Sequence, residues 1–297
     1  MIFVDILLPV FLMVGTGVAF SRVFRSSAEP LTQFSLYFAT PALIFRALVE
    51  HPVSGGAVLK LFALMIAYTL AMWALAEAVA RLLRLEPTLR RAFALAVVPM
   101  NVGNYGLPLV RFAFGPASEP FSVLVFVIFN LPLATWAIWI AAGGASSPLE
   151  GLKQMMRVPM VHATVLAFVV AALGWGMPAP VMKAAALLGD SAIPLLMIIL
   201  GMQLDRARLL GEPGSLAVAT LLRLGAAPLL AWALTNLLGF SAAEQKIAIL
   251  QTSTPAAVLP LLYALRFDCR PDWIASNLLV STLASGASLT AVLYFLV

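Results

Sequence analysis

The fold class predicted is an all-α membrane protein of ten transmembrane helices, built as two inverted five-helix repeats with broken, crossing helices 4 and 9. Three observations predict it. Of 297 residues, 62% are hydrophobic and only 10% charged, with a mean hydropathy of +1.01. A soluble domain carries about 25% charged residues, so there is too little polar surface here to cover a water-facing globule. Second, stretches such as 59–79 and 275–297 are apolar on every face, which excludes the alternating pattern of an outer-membrane barrel. Third, sequence features of the first half recur in the second.

Taken in order, the apolar runs place spans at 2–21, 31–49, 57–83, 91–112, 120–142, 158–175, 180–204, 215–238, 245–265 and 273–297. Each is near the roughly 20 apolar residues a helix needs to cross the hydrocarbon layer. The first span begins Met1-Ile2-Phe3-Val4-Asp5 without a basic lead, and Arg22 and Arg25 follow it. That charge order predicts a retained span with its N-terminus outside. Residues 143–157, with Gly143-Gly144 and Pro148, form a linker between halves 1–142 and 158–297.

Loops after odd-numbered spans hold Arg22, Arg25, Arg81, Arg84, Arg90, Arg91, Lys153, Arg157, Arg206, Arg208, Arg266 and Arg270. The opposite side holds Arg46, Lys60, Arg111, Lys183 and Lys246. Positive charge marks the cytoplasmic side, so a multi-pass protein of the plasma (inner) membrane with both termini extracytoplasmic is expected. The net charge of +5 is accounted for by these loops, and nucleic-acid binding is not expected. One cysteine and two histidines cannot supply a metal site of the usual nitrogen and sulfur ligands; neither metal nor other cofactor is expected.

The repeat is read from four matches. Leu107-Pro108-Leu109 recurs as Leu259-Pro260-Leu261, Pro41 as Pro194, Trp73-Ala74-Leu75 as Trp232-Ala233-Leu234, and Pro9 as Pro159. Their offsets are 152, 153, 159 and 150. With five spans per half, the second half must be inverted, an arrangement found in secondary transporters. Spans 4 and 9 are broken in corresponding places, at Pro99-Met100-Asn101 and at Thr252-Ser253-Thr254-Pro255. Proline removes a backbone donor and clashes with the preceding turn, and freed backbone groups inside a membrane must line protein or a wet cavity. Asn101, Gly103, Asn104, Tyr105 and Pro108, with Gln251, Thr252, Ser253, Thr254 and Pro255, are therefore the candidate substrate-binding residues. Asp190 and Arg223 both fall near mid-depth at about 1.5 Å rise per residue. Intramembrane charges are paired or functional, so these two are candidates for an ion pair or a coupling role. Ordinary proline kinks are the competing structural reading of the breaks.

The run Asn101-Val102-Gly103-Asn104-Tyr105-Gly106-Leu107-Pro108 resembles the span-4 signature of the auxin efflux carrier family. Ala248-Ile249-Leu250-Gln251 with Pro255 and Pro260 is similar to its span-9 crossover; Phe38, Pro41, Leu43 and Phe45 resemble span 2, and Pro194 and Gly201 span 7. The resemblance covers all ten spans. It implies the fold shared with bile-acid symporters, with spans 1, 2, 6 and 7 as scaffold and 3–5 and 8–10 as a mobile core. It also implies elevator-type transport of a small organic anion (an aromatic acid or a dicarboxylate), substrate contact at Asn101, and a homodimer through scaffold helices in the lipid bilayer. Two departures stand out. Met100 occupies the place of the proline that directly precedes the asparagine in plant relatives, and the long cytoplasmic domain of many plant members is absent.

An intramembrane enzyme would need a nucleophile with its base, paired carboxylates or metal ligands at mid-depth. The acids are scattered and the histidines lie near span ends, so no enzyme is expected. A channel would show a ring of charges. A sodium-coupled organic-anion symporter of the bile-acid type is the remaining alternative; Glu244 precedes the span-9 break rather than lying in it, which argues against sodium.

Overall fold

The computed structural model describes residues 2–145, 153, 156–205, 207, 209 and 212–297. Most of the 143–157 linker, and Arg206 and Arg208, lie outside the described residues.

Thirteen helices make up the described chain: α1 (Phe3–Phe24), α2 (29–50), α3 (Gly55–Leu82), α4 (Pro87–Val97), α5 (Leu107–Phe114), α6 (Glu119–Phe129), α7 (131–141), α8 (Pro159–Leu173), α9 (Ala179–Leu204), α10 (Pro213–Leu237), α11 (Ala242–Thr252), α12 (Leu259–Phe267) and α13 (Pro271–Leu296). Five of them, α1, α3, α9, α10 and α13, are long and apolar enough to cross a membrane. Among the described residues there is no strand, and the single antiparallel bridge joins Met100 to Ala256. The broken spans are the expected ones: α4 and α5 replace one long helix at 91–112, and α11 and α12 replace another at 245–265.

Local chemistry sets many of the boundaries. Ser54 caps α3 through the Ala57 amide, and Ser241 with Glu244 forms a capping box that starts α11. Four helices carry a π-turn, at Phe3–Leu7, Ser35–Ala39, Val102–Gly106 and Leu222–Ala226. Each ends two residues before a proline, at Pro9, Pro41, Pro108 and Pro228. A proline ring crowds the carbonyl four residues back, and one wider turn relieves that crowding without breaking the helix.

Packing comes in matched pairs. Helix α1 lies along α9, and α8 lies along α2. Likewise α3 packs on α4 and α6 while α10 packs on α11 and α13, and α4 meets α13 as α11 meets α6. This separates a group of α1, α2, α8 and α9 from the remaining helices. Within that group α1 and α9 approach backbone to backbone: a Cβ on Gly17 would strike the Ile198 carbonyl, and one on Gly201 the Val14 carbonyl.

Candidate functional site

The two breaks meet, and each satisfies the other. The Asn101 amide donates to the Pro255 carbonyl at 2.9 Å, and the Ala257 amide to the Pro99 carbonyl at 3.3 Å. Inside a membrane such groups have no water to turn to. At each break a carbonyl points out of its own helix, and an amide of the other break takes it. Leu107-Pro108 and Leu259-Pro260 then open α5 and α12 at equivalent places.

The C-terminal ends of the first half-helices share one cation. Arg223, fully buried, lies in the π-turn that Pro228 imposes on α10. Its Nη1 donates to the carbonyls of Val97 and Val98 at 3.0 and 3.1 Å, and its Nη2 to the Thr252 carbonyl and the Tyr68 hydroxyl. Tyr68 in turn donates to Thr252 O at 3.3 Å. Each helix C-terminus carries roughly half a negative charge, so the ends of α4 and α11 together balance about one guanidinium. Asp190 takes no part in this, and the Asp190–Arg223 ion pair, one of the readings open for these two residues, does not form. Asp190 is half exposed and binds Arg46 at 2.8 Å. Main-chain carbonyls can hold a guanidinium in place of a carboxylate, and reasoning from charged side chains overlooked that.

The N-terminal ends of the second half-helices face a different environment. Asn104, in the π-turn leading into α5, and Val258 and Leu259, where α12 begins, line a cavity of about 410 Å³. Its other walls come from the first half of α2 (Thr32, Ser35, Thr40), the end of α6 (Phe126, Asn130), the start of α8 and the last turns of α9 (Ile199, Gln203), together with Tyr263 of α12. Among the described residues, none lining this cavity is Lys, Arg, Asp or Glu. Anions are favoured at helix N-termini, and neutral amides can hold a carboxylate without fixing it.

Of the ten candidate binding residues, Asn104 lines this cavity and the others surround the crossover behind it. Asn101 is buried with its Nδ2 unpartnered among the described residues, and the Oε1 of Gln251 is likewise unpartnered. The Nε2 of Gln251 reaches Val102 O at 3.4 Å. Gly103 packs under Phe126, whose ring a Cβ there would meet at 2.7 Å. Tyr105 accepts from Ser285 at 3.0 Å, and Pro108 and Pro255 set backbone geometry. The hydroxyls of Thr252, Ser253 and Thr254 do not point to a ligand. They donate to Ala248 O, Ile249 O and Gln251 O at 2.7, 2.6 and 2.7 Å, the back-bonding open to any helical Ser or Thr. The sequence reading missed Tyr68, Asn130, Gln203 and Tyr263. Tyr68, Asn130 and Gln203 lie on other elements than the crossover, and Tyr263 lies one turn beyond Leu259-Pro260 on α12; only an intramembrane polar residue in an apolar run pointed to them.

A bundle of apolar helices in which two broken members cross beside a cavity defines the class: a membrane transporter. The family model described as "Membrane transport protein" matches residues 2–145 and 145–294, and the chain belongs to that family, the auxin efflux carrier family. It is similar to an uncharacterized transporter of Methanothermobacter thermautotrophicus, 27% identical over 89% of this chain and 88% of that one. It is also similar to a putative malonate transporter of Rhizobium meliloti, 23% identical over 98% of this chain and 95% of the relative. Auxin efflux carrier component 8 of Arabidopsis thaliana is 25% identical over 50% of this chain and 42% of its own length. These relatives and the family are transporters, not enzymes.

Proposed function

We propose that the chain is a secondary transporter of a small organic anion bearing a carboxylate, working by elevator-type alternating access. The observation that carries this reading is the asymmetry of the crossover. Its two helix C-termini are neutralised by Arg223, while its two N-termini meet a cavity lined by neutral side chains. A carboxylate attracted there by helix ends and amides can also leave, as a carrier requires. A relative named for malonate transport supports an organic anion as cargo.

The matched packing of α1 on α9 and α8 on α2 supports ten spans in two inverted repeats, with α1, α2, α8 and α9 as scaffold. The cavity then opens toward the side bearing Arg22, Arg81 and Arg266, the cytoplasmic side by charge. In the sodium-coupled alternative, helix C-terminal carbonyls would hold the ion. Here the guanidinium of Arg223 takes those of Val97, Val98 and Thr252, which favours transport without sodium.

Thermal-shift screening of purified protein against organic acids, malonate and indole-3-acetate among them, identifies the cargo. Asn101→Ala is expected to abolish the shift. If Asn101→Ala and Gln251→Ala both bind and transport with unchanged affinity, the crossover is structural and the reading fails.

A further inference from the structure

A cluster of charges lies across the same helices that wall the cavity, at their other ends. Arg46 near the end of α2 reaches Glu119 of α6 at 2.7 Å and Asp190 of α9 at 2.8 Å. Arg111 at the end of α5 reaches Glu119 at 2.8 Å and stands 3.9 Å from Asp190. Glu119 and Arg46 are largely buried, with side chains 9% and 13% exposed.

Each helix divides its length between the two features. Helix α2 gives Thr32, Ser35, Leu36 and Thr40 to the cavity and Arg46 to the cluster. Helix α6 gives Phe126 and Val127 to the cavity and its first residue, Glu119, to the cluster. Helix α9 gives Leu196 and Ile199 to the one and Asp190 to the other. Six or seven residues of separation at about 1.5 Å each put the cluster roughly 10 Å beyond the cavity's far edge. The protein is open at one end of these helices and pinned by charge at the other.

We propose that Arg46, Glu119, Arg111 and Asp190 form a latch that holds the moving helices against the scaffold on the face opposite the cavity. The inference rests on the elevator reading above. Arg46 and Asp190 belong to the scaffold, and Glu119 and Arg111 to the mobile part. The Arg46–Glu119 and Arg111–Asp190 contacts therefore cross the sliding interface, whereas Arg46–Asp190 and Arg111–Glu119 stay within one body. Opening the far side separates the crossing contacts and leaves each body with an internal acid–base pair. Neither half then strands a lone buried charge, which keeps the barrier low enough for turnover. The latch thereby sets the resting population toward the cavity-open state.

The test uses Val161→Cys, which lines the cavity, in a Cys269→Ser background. Its rate of reaction with a membrane-impermeant maleimide, applied to the cavity side of sealed vesicles, reads how often the cavity is open. Losing a charge-assisted contact shifts a two-state equilibrium by about 10- to 150-fold, so Glu119→Gln is expected to lower labelling by at least about twofold. Asp190→Asn, on a half-exposed carboxylate, is expected to give a smaller fall, and Glu77→Gln, which breaks the Arg81 and Arg90 contacts away from the interface, none. Unchanged labelling in monodisperse Glu119→Gln and Asp190→Asn protein overturns the latch and leaves the carrier reading intact. Equal labelling of Val161→Cys from both sides of the membrane, with the cluster unaltered, is a separate result and overturns alternating access itself.

Discussion

The two ends of the crossover invite comparison. Where α4 and α11 finish, every exposed carbonyl named above finds a donor, the donor is a permanent cation, and the residue that carries it is fully buried. Where α5 and α12 begin, an asparagine lines an open cavity, and the side-chain Nδ2 of a second, Asn101, has no partner among the described residues. A fixed charge sits where nothing has to leave. In the proposed reading, neutral donors sit where the cargo must bind and leave. The difference separates the groups that hold the crossover together from those free to bind.

Removing Arg223 should produce the largest effect. Arg223→Leu leaves the buried carbonyls of Val97 and Val98 without their donor and Thr252 O with the Tyr68 hydroxyl alone; at about 1–3 kcal/mol for each unpaired carbonyl a loss of about 2–6 kcal/mol is expected, read as a fall in the melting temperature of detergent-solubilised protein. Arg223→Lys should recover part of it, since an ammonium lacks the planar fork that reaches two helix ends at once. Wild-type stability in Arg223→Leu would erase the contrast between the two ends.

Asn101→Ala probes the other end. Because its Nδ2 has no partner among the described residues, the change should leave stability within about 0.5 kcal/mol. Affinity for the cargo should nevertheless fall by about 10- to 150-fold, the worth of a hydrogen bond to a charged group. Isothermal titration beside a melting curve separates the two. A large stability loss with unaltered affinity would place Asn101 with Arg223 instead.

Thr252→Val should matter less. Its hydroxyl bonds its own helix at Ala248 O, so a cost of about 1 kcal/mol or less in stability and unchanged affinity are expected; a tenfold affinity loss returns this hydroxyl to the binding surface. The smallest effect is none at all: replacing sodium by choline should leave uptake into proteoliposomes unchanged, because Arg223 holds the carbonyls a sodium ion would need. Sodium-dependent uptake would show that the ion binds elsewhere.

Much of this was legible in the sequence, and the reasons differ by residue. Pro99, Pro108, Pro255 and Pro260 announced the breaks because proline acts on its own backbone wherever it stands. Leu107-Pro108 and Leu259-Pro260 announced the pairing of the breaks because both open a half-helix. The surroundings of Arg223 were not legible. Its partners are main-chain carbonyls of two other helices, and any residue type supplies those. Thr252, Ser253 and Thr254 misled for the opposite reason: a hydroxyl in a helix finds an acceptor one turn back, so its presence in a broken span says little about ligands. Arg46 counted only as one of the basic residues on the less charged side, because Glu119, its partner, is 73 residues away.

The joint between Met100 and Ala256 is made of main-chain atoms alone. Side chains beside it can therefore be exchanged over evolutionary time without unfastening the two broken helices from each other. Relatives that share only 23% to 27% of their residues with this chain along most of its length have room to change cargo in this way. In the proposed reading, a change at Asn104, which lines the cavity, leaves that main-chain joint untouched.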